Sequence, residues 1–185
     1  MLNIYDEDGN FITPACASKP SLVRQYKIIL KEFNCNFALP FSCFHQLQRE
    51  DSIWASKYNA PMSAHFEGFD MPGAELLPAF VAVDFEKDSV TELNPKDLPL
   101  VVKPPEEFGD NWADCLDKDD FVLCKDYFLK KEHLKKCFGF INLRVGGKDN
   151  FISLNKVNKT GITFDVPRAS LMTSVKYQIF DDLLI

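Results

Sequence analysis

The sequence predicts an α+β fold, organised as a single domain with a mostly antiparallel sheet and two to four helices. Three observations lead to this class. Residues 20–34 carry apolar side chains at helical spacing, residues 138–166 contain short β-prone runs separated by turns, and the helix and strand signals do not alternate as in βαβ folds. The chain has 185 residues, the length of one ordinary domain, so we expect residues 1–185 to form a single globular domain.

The N-terminal part of the chain predicts a hairpin followed by a helix. Residues 2–13 hold two β-prone runs around Gly9 and Asn10, which tolerate the positive φ of a tight turn. Residues 20–34 form the clearest amphipathic helix, and Pro20 suits its first turn. The stripe that we expect to face the core consists of Leu22, Tyr26, Ile29, Leu30 and Phe33.

The middle of the chain is less regular. A short helix is expected around residues 46–57. Several prolines and glycines then predict a long loop over residues 59–78. The run FVAVDF at residues 80–85 is nearly continuous in apolar side chains, which is typical of a central strand.

The C-terminal part predicts a small sheet and a closing helix. Turn signals at Gly146-Gly147 and at residues 158–161 divide residues 138–166 into three β-prone runs. Three consecutive runs joined by tight turns favour an antiparallel meander of three strands. Apolar residues at intervals of four predict the closing helix, and they are Leu171, Val175, Ile179 and Leu183.

Charge and composition limit the classes of function. The net charge is −6 and the pI is about 5.1, which argues against nucleic acid as the main ligand and against an anionic membrane surface. The start of the chain, MLNIYDEDGN, lacks the basic and apolar regions of a secretory signal. No apolar run approaches the roughly 18 residues that a membrane span requires. We therefore expect a cytoplasmic protein whose six cysteines are reduced.

The most unusual feature is a change from acidic to basic residues around Trp112 and Asp126. An acidic segment comes first, with Glu106, Glu107, Asp110, Asp114, Asp117, Asp119 and Asp120. A predicted basic helix, capped by Asp126, follows with Lys125, Lys130, Lys131, Lys135 and Lys136. One interpretation is a solvated surface on which the two charges neutralise each other. The other is a binding surface for a protein with a basic surface, anchored by aromatic side chains. Its predicted contact residues are Phe108, Asp110, Trp112, Asp114, Asp117, Asp119 and Asp120.

A metal site is the alternative use of the same region. Cys115, Cys124, His133 and Cys137 are residue types that bind zinc, and the last two would share one helix face. However, Cys124 follows Cys115 at a spacing of nine, with eight residues between them, whereas zinc knuckles usually have two to four residues between their cysteines. We therefore expect these residues to be core and boundary positions, with no metal and no cofactor.

The known catalytic templates are missing from the sequence. It contains no P-loop, no dinucleotide-binding glycine pattern, no nucleophile elbow and no zinc-protease helix. The enzymatic alternatives are a Cys/His site near Cys43, His45 and His65, and a carboxylate metal site of a nuclease around Asp70, Asp84 and Glu86. We assign no catalytic residue and favour the class of binding proteins.

Three pieces of the chain from Asp114 onward carry a family resemblance: CLDKDD, FLKKEHLKKCFGFINL and TGITF. Their order resembles that of bacterial immunity proteins encoded beside polymorphic toxins. This resemblance implies a non-enzymatic protein that binds and blocks a toxin. A competing similarity, through LPAFVAVDF and FGDNW, is to RES-type ADP-ribosylating toxins. The glycine-rich segment by which those enzymes bind NAD has no match here, so a relative of this kind would be inactive.

Overall fold

The computed structural model of the protein describes residues 3–13, 22–40, 46–93 and 99–179. These described residues divide between two compact units. The first falls within Met1–Pro14, Arg49–Ser52 and Lys103–Ile185, and the second falls within Ala15–Gln48 and Ile53–Val102. The α+β class is confirmed. A single domain over residues 1–185 stays a prediction.

The described residues contain eight strands and four α-helices. They are β1 (Asn3–Asp6), α1 (Leu22–Glu32), β2 (Phe37–Ala38), β3 (Glu75–Leu76), β4 (Val81–Asp84), β5 (Ser89–Glu92), α2 (Lys118–Leu129), α3 (Glu132–Cys137), β6 (Phe140–Val145), β7 (Lys148–Ser153), β8 (Gly161–Asp165) and α4 (Arg168–Tyr177). Short 3-10 helices occupy Ile53–Tyr58, Met62–His65 and Pro105–Phe108. No helix among the described ranges has the length and apolar character needed to cross a membrane.

The first unit contains a four-stranded sheet in the order β1-β8-β6-β7. The pairs β1/β8 and β6/β7 are antiparallel, whereas β6 and β8 are parallel. The predicted N-terminal hairpin is present in part, since Tyr5 bridges to Phe11 across the turn. The sheet is therefore mixed rather than mostly antiparallel.

The predicted meander is wrong in its third strand, because β8 pairs with β6 and not with β7. After β7 the chain passes the beginning of β6, where the amides of Leu154 and Asn155 both donate to the carbonyl of Gly139. The amide of Gly139 in turn donates to Thr160. A Cβ at Gly139 would overlap the carbonyl oxygen of Asn158, so only glycine permits this close crossing. The crossing delivers β8 to the other side of β6.

One continuous core holds the first unit together. Helices α2 and α4 contact each other, and their buried side chains share one cluster with those of the sheet. Phe128 of α2 stacks on Phe164 of β8 with ring centroids 5.9 Å apart, and Tyr127 meets Phe128 edge to face at 5.0 Å. The buried positions are Cys124, Tyr127, Phe128, Leu134, Ile141, Leu143, Val145, Ile152, Ile162, Phe164, Val166, Leu171 and Val175. Leu171 and Val175 confirm the predicted closing helix, which ends before Ile179; Leu183 lies outside the described residues.

The second unit has smaller elements. Helix α1 confirms the predicted N-terminal helix, although Pro20 lies outside the described residues. Its buried residues are Val23 and Leu30, while Ile29 and Phe33 of the predicted stripe are 50% and 69% exposed. The prediction of which α1 side chains face the core is therefore wrong for Ile29 and Phe33.

The middle of the chain differs from its predicted elements. The run FVAVDF does contain a strand, β4. Among the described residues β4 pairs with β5 alone, in a two-stranded antiparallel hairpin, and Val81 is the one buried residue of β4. It is thus not a central strand. The helix expected around residues 46–57 is replaced by the shorter 3-10 helix at Ile53–Tyr58. The predicted loop over residues 59–78 includes another 3-10 helix and β3, which pairs in parallel with β2.

Candidate functional site

The acidic segment begins with a sharp change of direction. The 3-10 helix at Pro105–Phe108 ends at Gly109, whose φ of 84° is left-handed and costs other residues free energy. After this turn Asp110 is only 3% exposed. Its Oδ1 accepts the amide of Ser170 at 2.8 Å, and its Oδ2 accepts the Ser170 hydroxyl at 2.5 Å. Asp110 therefore serves the fold rather than the open surface.

The contact with Ser170 caps helix α4. This helix follows Pro167, which has no side chain able to accept a hydrogen bond from the free amides of the first turn. Ser170 lies in that first turn, so the carboxylate of Asp110 supplies the cap from 60 residues earlier in the chain. A negative charge at this end of a helix is also stabilised by the helix dipole.

Arg49 joins the acidic segment to a second carboxylate. Its Nη1 donates to Asp110 Oδ2 at 2.6 Å, while Nε and Nη2 donate to the two oxygens of Asp51 at 3.1 and 2.7 Å. Its Cζ lies 5.5 Å from the centroid of the Phe108 ring. Trp112 Nε1 donates to Asp51 Oδ2 at 2.9 Å. We call Arg49, Asp51, Asp110, Trp112 and Ser170 the arginine network.

The charges of this network stabilise one another. Hydrogen bonding to Asp51 raises the pKa of Arg49 above its ordinary value. Burial alone would raise the pKa of Asp51, but its hydrogen bonds to Arg49 and Trp112 outweigh burial and hold that pKa below the usual range. Paired, hydrogen-bonded charges of this kind hold their side chains in one geometry.

A second pair of carboxylates organises the start of α2. Asp117 is the N-cap, because its Oδ1 accepts the amides of Asp119 and Asp120 at 2.9 and 2.8 Å. Asp120 completes a capping box and accepts Arg168 Nε at 2.6 Å. The prediction that Asp126 caps the basic helix is wrong, because Asp126 lies inside α2. The basic region is divided between α2 and α3.

The predicted contact residues thus fall into two groups. Asp110 and Asp120 are buried, and they accept hydrogen bonds from Arg49 and Arg168, respectively. Trp112 is half-buried, with its ring nitrogen bonded to Asp51. The residues of the acidic segment that remain exposed are Glu106, Glu107, Phe108, Asp114, Asp117 and Asp119. The exposed group is what a partner could touch directly.

The cysteines and His133 do not assemble into a zinc site. Cys124 is fully buried beside Met172, and burial together with the charge of Asp120 raises the pKa of its thiol to about 12. Cys115 donates to the backbone of Ala113 and Gly146 instead. In the part of the chain that the structure describes, no three His, Cys, Asp or Glu side chains are grouped to hold a metal ion.

The described residues give little support to the alternative enzymatic sites. Cys43 and His45 lie outside the described residues. His65 is buried, its Nδ1 is 2.8 Å from the Tyr26 hydroxyl, and burial lowers its pKa. Asp84 accepts the amides of Glu86 and Lys87, and the Lys87 ammonium pairs with it at 2.8 Å. These hydrogen bonds to Lys87 lower the pKa of Asp84, which is committed to the β4/β5 turn.

Sequence reasoning missed the partners of the buried acids: Arg49, Asp51, Arg168 and Ser170. One signal was available, since Asp117 and Asp120 precede an apolar run at capping-box spacing. A second was Pro167, which starts a helix without a capping side chain and thereby requires a cap from elsewhere. Neither signal indicates which distant residue binds the carboxylate or caps the helix.

The fold and site define an α+β protein in which a partly buried arginine network anchors a partly exposed acidic segment. Comparison with protein-family models, with curated proteins and with solved structures gives no significant match to this chain. The resemblances to immunity proteins and to ADP-ribosylating toxins therefore stay predictions.

Proposed function

We propose that the protein is a non-enzymatic, cytoplasmic protein-binding protein that acts as a toxin-immunity or antagonist protein. Its binding surface is the exposed part of the acidic segment, and its partner is a protein with a basic surface. The observation that carries the proposal is the arginine network, which fixes Asp110 and Trp112 within the acidic segment and contacts the exposed ring of Phe108.

A segment whose conformation is fixed before binding has an advantage, because binding costs conformational entropy. A loop that is already fixed loses less freedom on association, so more of its contact energy appears as affinity. Gly109 and Asp110 fix the turn after Phe108, and Trp112 is tied to Asp51. The surface is thus preorganised for a partner.

The exposed acids and the aromatic ring of Phe108 contribute to recognition in different ways. Exposed acids attract a basic partner over several ångströms, which raises the association rate and makes it fall with added salt. Phe108 is 45% exposed, and large aromatic side chains often supply most of the affinity at an interface. We assign Phe108 as the anchor and the acids as the steering charges.

The test begins with a pull-down from the native source to identify the partner. The variant then combines Glu106→Gln, Glu107→Gln, Asp114→Asn and Asp119→Asn, all exposed and outside the capping contacts made by carboxylates. We expect the association rate at low salt to fall about tenfold or more and to lose most of its salt dependence. The measurement is surface plasmon resonance over a range of salt concentrations.

The matched control neutralises four exposed acids of the same unit outside the acidic segment, through Glu7→Gln, Asp8→Asn, Asp126→Asn and Glu132→Gln. This control should bind like the unmodified protein. If both variants bind with unchanged rates, the acidic segment is not the binding surface. Phe108→Ala separates the anchor from the charges, because it should accelerate dissociation while the salt dependence remains.

A further inference from the structure

An open cavity of about 230 Å³ lies beside the arginine network in the first unit. Its lining residues are Phe108, Asp110, Ala169, Ser170, Thr173 and Ser174. Cofactor and drug-sized ligand sites usually begin at roughly 300 Å³. This cavity therefore has the size of a single amino-acid side chain rather than of a cofactor.

The hydrogen-bonding character of the cavity wall is set by the cap of α4. A hydroxyl group has one hydrogen to donate and two lone pairs to accept with. Ser170 donates its hydroxyl hydrogen to Asp110 Oδ2, so toward the cavity it has only lone pairs to offer. Ionised carboxylates are likewise acceptors only. The part of the wall formed by Ser170 and Asp110 therefore favours a ligand group that donates, whereas the hydroxyls of Thr173 and Ser174 can donate or accept.

The charge of the surroundings selects the same kind of ligand. The arginine network contains two carboxylates, Asp51 and Asp110, and one guanidinium, Arg49. The exposed charges nearest to Phe108 along the chain are Glu106 and Glu107. Glu107 is paired with the ammonium of Lys103 at 2.8 Å, so the added negative charge comes from Glu106. A carboxylate or phosphate ligand would be repelled by this negative potential. None of the lining residues is a cation that would offset the repulsion. A cation is attracted instead.

Of the remaining lining residues, Phe108 and Ala169 are apolar, and Thr173 and Ser174 carry hydroxyl groups. Phe108 and Ala169 provide surface on which a methylene chain can pack, and long basic side chains combine such a chain with a charged end. Thr173 adds a hydroxyl next to Ser170 on the adjoining turn of α4. A planar guanidinium has several donors in a fork, so it can reach two hydroxyl oxygens at once, which an ammonium does less well.

We propose that this cavity binds one arginine side chain of the partner protein, with its methylene chain against Phe108 and its guanidinium at Ser170. The inference rests on the proposed function and names the chemistry of the partner. Asp110 contributes through its charge and through the orientation of the Ser170 hydroxyl.

The experiment needs no partner. The probe is N-acetyl-arginine methylamide, titrated into the purified full chain and followed by amide chemical shifts in NMR. The control probe is N-acetyl-citrulline methylamide, which has nearly the same shape and no charge. We expect saturable shifts at Phe108, Ser170 and Thr173 with the arginine probe and about tenfold weaker binding, or none, with citrulline. Equal binding of the two probes, or no saturable shift at these residues, would overturn the proposal.

A pair of variants ties the effect to the cavity. Thr173 is an exposed lining residue, so Thr173→Phe fills the cavity without disturbing the core. This variant should lose binding of the arginine probe, whereas Thr173→Ser should keep it. Retained binding in a folded Thr173→Phe protein, checked by circular dichroism, would place the probe elsewhere. If the probe fails to bind but the partner still depends on the exposed acids, the cavity inference fails and the proposed function stands.

Discussion

The two compact units of this chain differ in how completely they bury their apolar side chains. The first unit gathers thirteen buried residues into one cluster. In the described part of the second unit the buried apolar residues are Val23, Leu30, Ala55, Leu77 and Val81. Large side chains there are exposed instead, including Phe33 at 69%, Phe37 at 44% and Phe85 at 72%.

The cause of this difference is the size of the secondary structure. A four-stranded sheet with helices packed on it can enclose a continuous core. The second unit has two-stranded pairs, β2/β3 and β4/β5, and such pairs are marginally stable by themselves. Fewer buried contacts lower the free energy needed for local opening. We therefore expect the first unit to be the more stable part of the protein.

The largest expected effect is in the core of the first unit. Phe128→Ala removes a fully buried ring that stacks on Phe164, and it should lower the free energy of unfolding by about 3–5 kcal/mol. Leu30→Ala in the second unit should cost less, about 2 kcal/mol, because fewer buried neighbours surround it. Urea unfolding gives both values, and hydrogen exchange assigns them to the units. Equal losses would contradict the difference between the units.

The next effect concerns two glycines. Gly139→Ala places a methyl group against the backbone carbonyl of Asn158, and the expected loss of stability is about 3 kcal/mol, since backbone cannot move aside cheaply. Gly73 of the second unit has open space around it but a φ of +77°. Gly73→Ala should therefore cost only the strain of a left-handed residue, about 1 kcal/mol. Thermal unfolding of the two variants measures both losses of stability. A loss for Gly139→Ala no larger than that for Gly73→Ala would contradict the close crossing at Gly139.

Polar contacts should show the same contrast. Asp110→Asn weakens the charge-assisted bonds to Arg49 and Ser170, and we expect a loss of about 2–3 kcal/mol. Tyr26→Phe in the second unit removes one hydrogen bond to His65, worth about 1 kcal/mol. Denaturant midpoints at fixed salt measure both. A loss for Tyr26→Phe as large as that for Asp110→Asn would remove the contrast.

The smallest effect is a pH dependence confined to the second unit. Burial lowers the pKa of His65 below its ordinary 6.5, so the unfolded chain binds the proton more readily than the folded one. Stability from neutral His65 is thus complete above pH 6.5 and is lost as the pH falls below that value. Hydrogen exchange of α1 amides between about pH 7.5 and 5.5, corrected for intrinsic rates, follows this change. His65→Gln should remove the dependence, and its persistence in that variant would assign it to another group.

Local signals predicted the parts of the fold that local chemistry decides. The Gly146-Gly147 turn joins β6 and β7 as expected, and apolar spacing located α1 and α4. The side of β6 on which β8 pairs could not be predicted, because a β-prone run fits either edge. That choice depends on hydrogen bonds around Gly139, which exist only in the folded chain.

The candidate site shows the same division. The number of acids predicted an acidic surface, and several of those acids are exposed. Which acids are buried depends on Arg49, Arg168 and Ser170, all distant in sequence from the carboxylates that they bind. Sequence alone contains the charges but not these pairings.

The cap of α4 also affects the order in which the chain can fold. Asp110 is 60 residues from Ser170, so the first turn of α4 can be capped only after the chain has closed a long loop. Contacts of such sequence separation form slowly compared with a local helix turn. An isolated peptide of residues 166–179 should therefore be frayed at its N-terminal end. In the intact chain the same contact makes two distant segments become ordered together, which sharpens the cooperativity of the first unit.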